Sequence, residues 1–352
     1  MGDDLIVDTA RRILSDHCDP GAVNRAQDEA WKAPAWRALE DAGLTLAWVD
    51  EALGGAGGGL GDGFAIVRQV GRFAAALPLA ETLLAGWLLQ RAGIASPKGA
   101  MSCGPTRAQE TVALTSTGEL RGRLRAVPFA KEAKHIALLA QRQGRAVVAL
   151  IDAGQVAIDD GANIAGEALN TLILDGARPP LVGEAPPGID QRALLLMGAV
   201  MRAMQMTGAL ETILDLAVGY AKERTAIGRA IAKFQVVQHN LARLAGEVAA
   251  AIAASGSAAE AIASGALSDE GVLLEAASAK IRVGEAAGEG AAIAHQVLGA
   301  IGFTREHTLH RFTRRLWAWR DDFGNESAWA VELGGMVAAR GADALWPMLA
   351  AR

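Results

Sequence analysis

Cysteine is scarce in this chain. The two residues present, Cys18 and Cys103, stand far apart without a CxxC spacing, so neither a disulfide framework nor a thiolate metal site is expected. The six histidines are dispersed and show no ligand spacing. Charge of one sign is also lacking. A formal net charge of −5, with Lys and Arg interspersed among acids, leaves no basic stripe for nucleic acid. Uncharged apolar runs such as Leu194–Val200 are short and fall well below the roughly 18 residues of a membrane span. The opening MGDDLIVDTARRIL has neither the basic start nor the apolar block of a secretory signal, and it suits myristoylation poorly. Together with the free thiols, these features predict a cytoplasmic protein. No GxSxG elbow is present, which removes support for Ser-His-Asp hydrolysis. Aromatic residues make up only 5%, whereas Ala and Gly are abundant. Small side chains at that level suit helices that pack closely.

At 352 residues the chain is long enough for two or three cooperating domains, and its texture changes twice. Residues 1–103 read as amphipathic segments broken by Gly and Pro, with a helix expected to start after Pro78. Over 104–187, short apolar runs (Val112–Leu114, Ile136–Leu139, Val147–Ile151, Leu172–Leu174) alternate with Gly, Asp and Pro. That rhythm predicts a small barrel or sandwich. Residues 188–352 are helical, with long Ala-rich stretches at 190–222, 234–263 and 270–299 that predict an antiparallel four-helix bundle. The fold class is therefore α+β, in the order helices, β-domain, bundle.

Four segments bear on chemistry. The run Gly54–Gly63 fits no register of GxGxxG and follows a helical segment, which predicts a loop before a helix at Asp62 or Gly63. Arg224-Thr-Ala-Ile-Gly228 closes a long helix, and Phe234-Gln235 opens the next. A guanidinium there suits a diphosphate, although a basic last turn also complements a helix dipole. His295-Gln296-Val297-Leu298-Gly299-Ala300-Ile301-Gly302-Phe303 ends another long helix, with glycines that allow either close backbone approach to a ligand or an ordinary C-cap. Trp317-Ala-Trp-Arg-Asp321-Asp322-Phe323-Gly324-Asn325-Glu326 gathers carboxylates beside aromatics, as a proton-abstracting site or a solvated helix end would.

Taken together, these pieces resemble the acyl-CoA dehydrogenase superfamily over the whole chain, and in particular its short bacterial-type members. Arg224-x-x-x-Gly228 with Gln235 is similar to the family's Arg-x-x-Phe-Gly…Gln, and Gln296-x-x-Gly299-x-x-Gly302 to its Gln-x-x-Gly-Gly-x-Gly. Trp36-x-x-Leu39…Gly43…Glu51-x-x-Gly54-Gly55-x-Gly57 resembles the family's opening domain. The resemblance implies FAD as cofactor, held by Arg224, Ala226, Ile227, Gln235, Gln296, Gly299 and Ala300, the last three reaching a flavin bound mainly by a neighbouring subunit. It also implies an acyl-CoA substrate, oxidised at the α,β-bond, an electron-transfer flavoprotein as acceptor, and a homo- or hetero-oligomer.

The departures from the family pattern are specific. The Thr-Glu-Pro…Gly-Ser-Asp segment has no counterpart over Gly104–Arg121, and no Trp occurs between Trp87 and Trp317. Ile227 replaces a Phe, and Ala300 a Gly. Phe323 stands at the position of the catalytic Glu, and the alternative base position maps near Gly198. Two possibilities follow: Asp322 (with Asp321 and Glu326 beside it) serves as base, or the base sits in a partner, as in short members that pair a base-bearing with a base-less subunit and degrade steroid side chains. A non-catalytic subunit that completes a flavin site is the alternative function, and a flavin oxidase on the same scaffold is a third.

Overall fold

The computed structural model describes residues 2–26 and 28–350. Five helices open it: α1 (Gly2–Cys18), α2 (Pro20–Arg25), α3 (Lys32–Asp41), α4 (Leu60–Arg72) and α5 (Leu79–Arg91). The Gly-rich run is a loop. It feeds α4, whose first turn is closed by the Asp62 carboxylate accepting from the Gly59 N–H at 2.9 Å. Helix α5 follows Pro78 and is buried from Leu79 to Leu89, because it packs on strands as well as on helices.

The middle of the chain forms β1 (Met101–Gly104), β2 (Ala113–Leu114), β3 (Leu120–Pro128), β4 (His135–Arg142), β5 (Arg145–Asp152), β6 (Ala157–Asp159), β7 (Leu169–Ala177) and β8 (Leu181–Glu184). The junction expected at 103/104 lies within β1. The sheet runs β6-β7-β3-β2-β4-β5-β8, and β1 adds parallel to β4. It is antiparallel at most joins, with Leu124 opposite Leu172 and Ala137 opposite Leu150. Of the barrel or sandwich expected here, a closed barrel does not form. The short strands β6 and β8 remain as edges, and α5 packs on β1, β4 and β5. This placement explains the unbroken apolar run Ile136–Ala140. Ile136, Leu138 and Ala140 fill the sheet's own core, whereas Ala137 and Leu139 join the helical core.

The remainder is α6 (Gln191–Glu223), a two-stranded hairpin of β9 (Thr225–Ala226) and β10 (Arg229–Ala230), α7 (Gln235–Ser264), α8 (Glu270–Leu298), α9 (Leu309–Trp319), α10 (Glu326–Arg340) and α11 (Leu345–Ala350). The three long helices form where the sequence predicted them. Helix α6 is capped by Asp190, whose carboxylate accepts from Ala193 N–H at 2.9 Å. Every residue from Ala193 to Leu210 is buried, since α4, α7, α8 and α9 all pack on α6. It has the length and hydropathy of a membrane span, yet its apolar window lies wholly inside the fold and contains Arg202. Connectivity brings the C-terminus of α6, the N-terminus of α7 and the C-terminus of α8 to one end of the bundle.

Candidate active site and cofactor surface

The first region is the loop between α9 and α10, facing the β-domain. Helix α9 buries Leu309, Phe312, Leu316 and Trp319 and so delivers Arg320–Asn325 to the mouth of a cleft. The loop is held from beneath. The buried Lys280 ammonium on α8 donates to the carbonyls of Arg320 at 2.6 Å and Gly324 at 2.7 Å. Trp329 Nε1–H donates to the Phe323 carbonyl at 3.1 Å, and Asn325 caps α10 through the Ala328 N–H at 3.0 Å. Burial draws the Lys280 pKa down to about 8, with Asp322 and Glu326 opposing the shift.

Asp322 points inward. Its Oδ2 accepts from Arg202 Nε at 2.9 Å, and Oδ1 has no hydrogen bond among the described residues. Arg202 is 1% exposed, ion-pairs with Glu81 of α5, and donates from Nη1 to Gln205 Oε1 at 2.5 Å. One guanidinium therefore ties the N-terminal helices, the bundle and the loop together. Burial raises the pKa of both Asp322 and Glu81, and Arg202 counteracts it. The Glu81 Oε2 atom is buried without a partner. Glu326 accepts from Arg320 Nε at 2.6 Å.

Phe323 takes the position the sequence comparison gave to a catalytic carboxylate. It is 1% exposed, has a left-handed φ of 56°, and its ring lies directly on α6 at Gly198. A Cβ at Gly198 would come within 2.2 Å of the ring, so only glycine fits there. The two positions expected to carry a base are thus in contact with each other, and neither bears a carboxylate. A cavity of about 230 Å³ lies on one side, lined by Thr106, Arg107, Ala126, Trp317, Asp321 and Asp322 among others. A second, of about 690 Å³, is lined by Gln109, Leu195, Asn325, Trp329 and Glu332 among others. Both cavities share Thr106, Arg107, Asp321 and Phe323.

The second region is the end of the bundle. The β9–β10 hairpin turns through Ile227 and Gly228, both at positive φ. Ile227 is 91% exposed, and left-handed backbone is unfavourable for a β-branched residue. Arg229 lies 4.3 Å from the Phe234 ring centroid. The side chains of Arg224, Gln235 and Gln296 are exposed and make no hydrogen bond among the described residues. Gly299 opens on free space, and Ala300 is exposed beside it. Phe303, 72% exposed, stacks on His295 at 4.3 Å. Three unpartnered polar groups with a guanidinium among them fit the diphosphate end of a dinucleotide. Of the two cavities in the cleft, the smaller is below the roughly 300–1,000 Å³ usual for ligand sites and the larger lies within it. Ala126 lines the smaller cavity, and no Trp of the β-domain borders it. About 39 Å of helix rise separates Gly198 from Arg224. One bound dinucleotide does not reach both.

The sequence named Asp322 and the motif residues but missed Arg202, Lys280 and Glu167. Glu167, in the loop before β7, is buried and accepts from Arg315 Nε at 2.8 Å and Trp319 Nε1 at 3.1 Å, which fixes the β-domain to α9.

Comparisons with known proteins agree with this arrangement. The profile of the acyl-CoA dehydrogenase N-terminal domain matches residues 3–99, and that of the C-terminal domain matches 189–320. The chain is 27% identical over 314 residues to acyl-CoA dehydrogenase IpdE2 of Mycobacterium tuberculosis, covering 88% of this chain and 89% of that protein. Among solved structures it resembles the ChsE4-ChsE5 complex from Mycobacterium tuberculosis, with a TM-score of 0.84 and 22% identity over 96% of this chain and 97% of the other. It also resembles a Tcur3481-Tcur3483 steroid ACAD variant, with a TM-score of 0.83 and 24% identity over 96% and 98% of the two chains. With both terminal domains matched and the fold shared along nearly its full length, the chain belongs to the acyl-CoA dehydrogenase family.

Proposed function

We propose that the chain is one subunit of a hetero-oligomeric, FAD-dependent acyl-CoA dehydrogenase acting in the cytoplasm, and that it completes a flavin site whose catalytic base belongs to its partner. The observation that carries this reading is the separation of the two regions. Arg224, Gln235, Gln296, Gly299 and Ala300 form an open polar surface at one end of the bundle, roughly 39 Å along α6 from a cleft with Phe323 at the base position. The same surface exposes Ile227, Val236 and Phe303, an apolar rim that a partner subunit would cover. Two structural relatives are two-component assemblies, the ChsE4-ChsE5 complex and the Tcur3481-Tcur3483 steroid ACAD, which supports a partner and a bulky acyl substrate.

In this scheme the Arg224 guanidinium would neutralise the diphosphate, and Gln235 and Gln296 would offer it hydrogen bonds. Ile227 and Ala300 would line the same surface. Bound FAD supplies the hydride acceptor. The partner's carboxylate would take the thioester's α-proton in forming the enoyl-CoA, and an electron-transfer flavoprotein would be the final electron acceptor. Such a base works best with its pKa raised toward neutrality in a desolvated site.

The test is Arg224→Ala in the assembly purified from the native host. Loss of a charge-assisted contact of about 2 kcal/mol corresponds to roughly thirtyfold weaker flavin retention. Unchanged flavin absorbance after gel filtration would refute the assignment. A second reading, turnover in the chain's own cleft with Asp322 as base, draws on its free Oδ1 and its position on the smaller cavity. Loss of ferrocenium-coupled activity in Asp322→Asn of the isolated chain, with Glu326→Gln unaffected, would favour it.

A further inference from the structure

From the contact between Phe323 and Gly198 we infer that Phe323 is a plug that excludes an acyl thioester from this chain's own cleft. The inference rests on the family reading of that cleft. Two alternative base positions must both be able to reach the same α-carbon, so the space for that carbon borders both. Here these positions are Phe323 and Gly198, and they touch. The phenyl ring fills the notch that the missing Gly198 side chain leaves, and a single methyl there would come within 2.2 Å of it. The substrate's reacting carbon and the ring cannot occupy that space together.

The loop that carries the ring is tethered. Its backbone is fixed by Trp329 Nε1–H on the Phe323 carbonyl at 3.1 Å and by Lys280 on the next carbonyl at 2.7 Å. The adjacent Asp322 is anchored by Arg202 at 2.9 Å, and the Arg202 guanidinium carbon lies 5.9 Å from the ring centroid. With the loop tethered and the ring 1% exposed, the exclusion needs no ligand to set it. The ring also borders both cavities, and Asp322 lines only the smaller one. The plug thus dedicates the chain to its other role, at the Arg224 end of the bundle.

The experiment compares CoA and octanoyl-CoA by titration calorimetry on the isolated wild-type chain, Phe323→Ala and Phe323→Leu, each checked for native circular dichroism. The wild-type chain is expected to bind octanoyl-CoA no more tightly than CoA. Phe323→Ala is expected to bind octanoyl-CoA at least tenfold more tightly than CoA, and Phe323→Leu to fall between. Acyl discrimination by the wild-type chain overturns the inference, as does a folded Phe323→Ala without such discrimination. Should Phe323→Ala fail to fold, Phe323→Leu decides alone, and an absence of gain refutes the plug. This readout is independent of flavin retention by Arg224→Ala, so either idea can fail while the other stands.

Discussion

Replacing Gly198 by Ala is a one-methyl perturbation whose sign depends on a residue 125 positions away. In an isolated helix the change stabilises by about 0.5–1 kcal/mol, because alanine loses less backbone entropy on folding. Within α6 the new Cβ would lie 2.2 Å from Phe323 Cδ1 and 2.5 Å from Cγ. The ring is 1% exposed, and its loop is tethered by Lys280, Arg202 and Trp329, so the strain cannot relax into solvent. Overpacking of this kind costs about 1–3 kcal/mol. The net expectation for Gly198→Ala is a loss of about 1–2 kcal/mol. Phe323→Ala alone removes a buried ring and should cost about 3–5 kcal/mol. In that background the methyl of Gly198→Ala enters the vacated space, so the second substitution should stabilise by about 1 kcal/mol. The cycle therefore has a coupling of about 2–3 kcal/mol, within the range seen for residues in contact. Urea denaturation of the four proteins measures it, with circular dichroism reporting the bundle. Equal effects of Gly198→Ala in both backgrounds would show that the ring does not rest on α6 as described.

Two further expectations concern the tethers. Lys280 has its pKa lowered by burial from the ordinary 10.5 to about 8, so between those values the unfolded chain keeps a proton that the folded chain has released. Stability should accordingly rise with pH across this window, by up to about 3 kcal/mol relative to Lys280→Met, and urea midpoints at about pH 7.5 and about pH 10 test it. A difference between the two proteins that stays constant with pH would contradict the buried ammonium. Phe323→Glu restores the carboxylate in name only. Arg202, 5.9 Å from the ring centroid, already pairs with Glu81 and Asp322, so a third buried carboxylate there would sit desolvated beside like charge and be held protonated, unable to accept the α-proton. A ferrocenium-coupled assay of the isolated chain should show no gain, and brisk turnover would refute this account.

Much of the architecture was legible because its signals are local. Three helices of about thirty residues announce themselves through Ala-rich periodicity, and the loops at 224–234 and 265–269 through Gly and Ser. The strands were legible as short apolar runs, but closure was not. Whether a sheet closes depends on what lies against its outer face, and nothing in Ile136–Ala140 says that α5 will cover Ala137 and Leu139. The same limit governed the site. Motif residues such as Arg224 and Gln296 are read from spacing, whereas Arg202, Lys280 and Glu167 act through partners brought together only by the fold. Arg202 did leave a trace, as the lone charge among eighteen consecutive buried residues from Ala193 to Leu210. An unpaired charge there would be prohibitive, so that trace alone requires buried carboxylates from elsewhere in the chain. Glu81 and Asp322 are the pair that answers it. The pairing also bears on the role of Asp322. Released from Arg202 to act as a base, it would leave the guanidinium with Glu81 as its one ionic partner. Asp322 therefore serves the chain best as the clamp that keeps Phe323 in place.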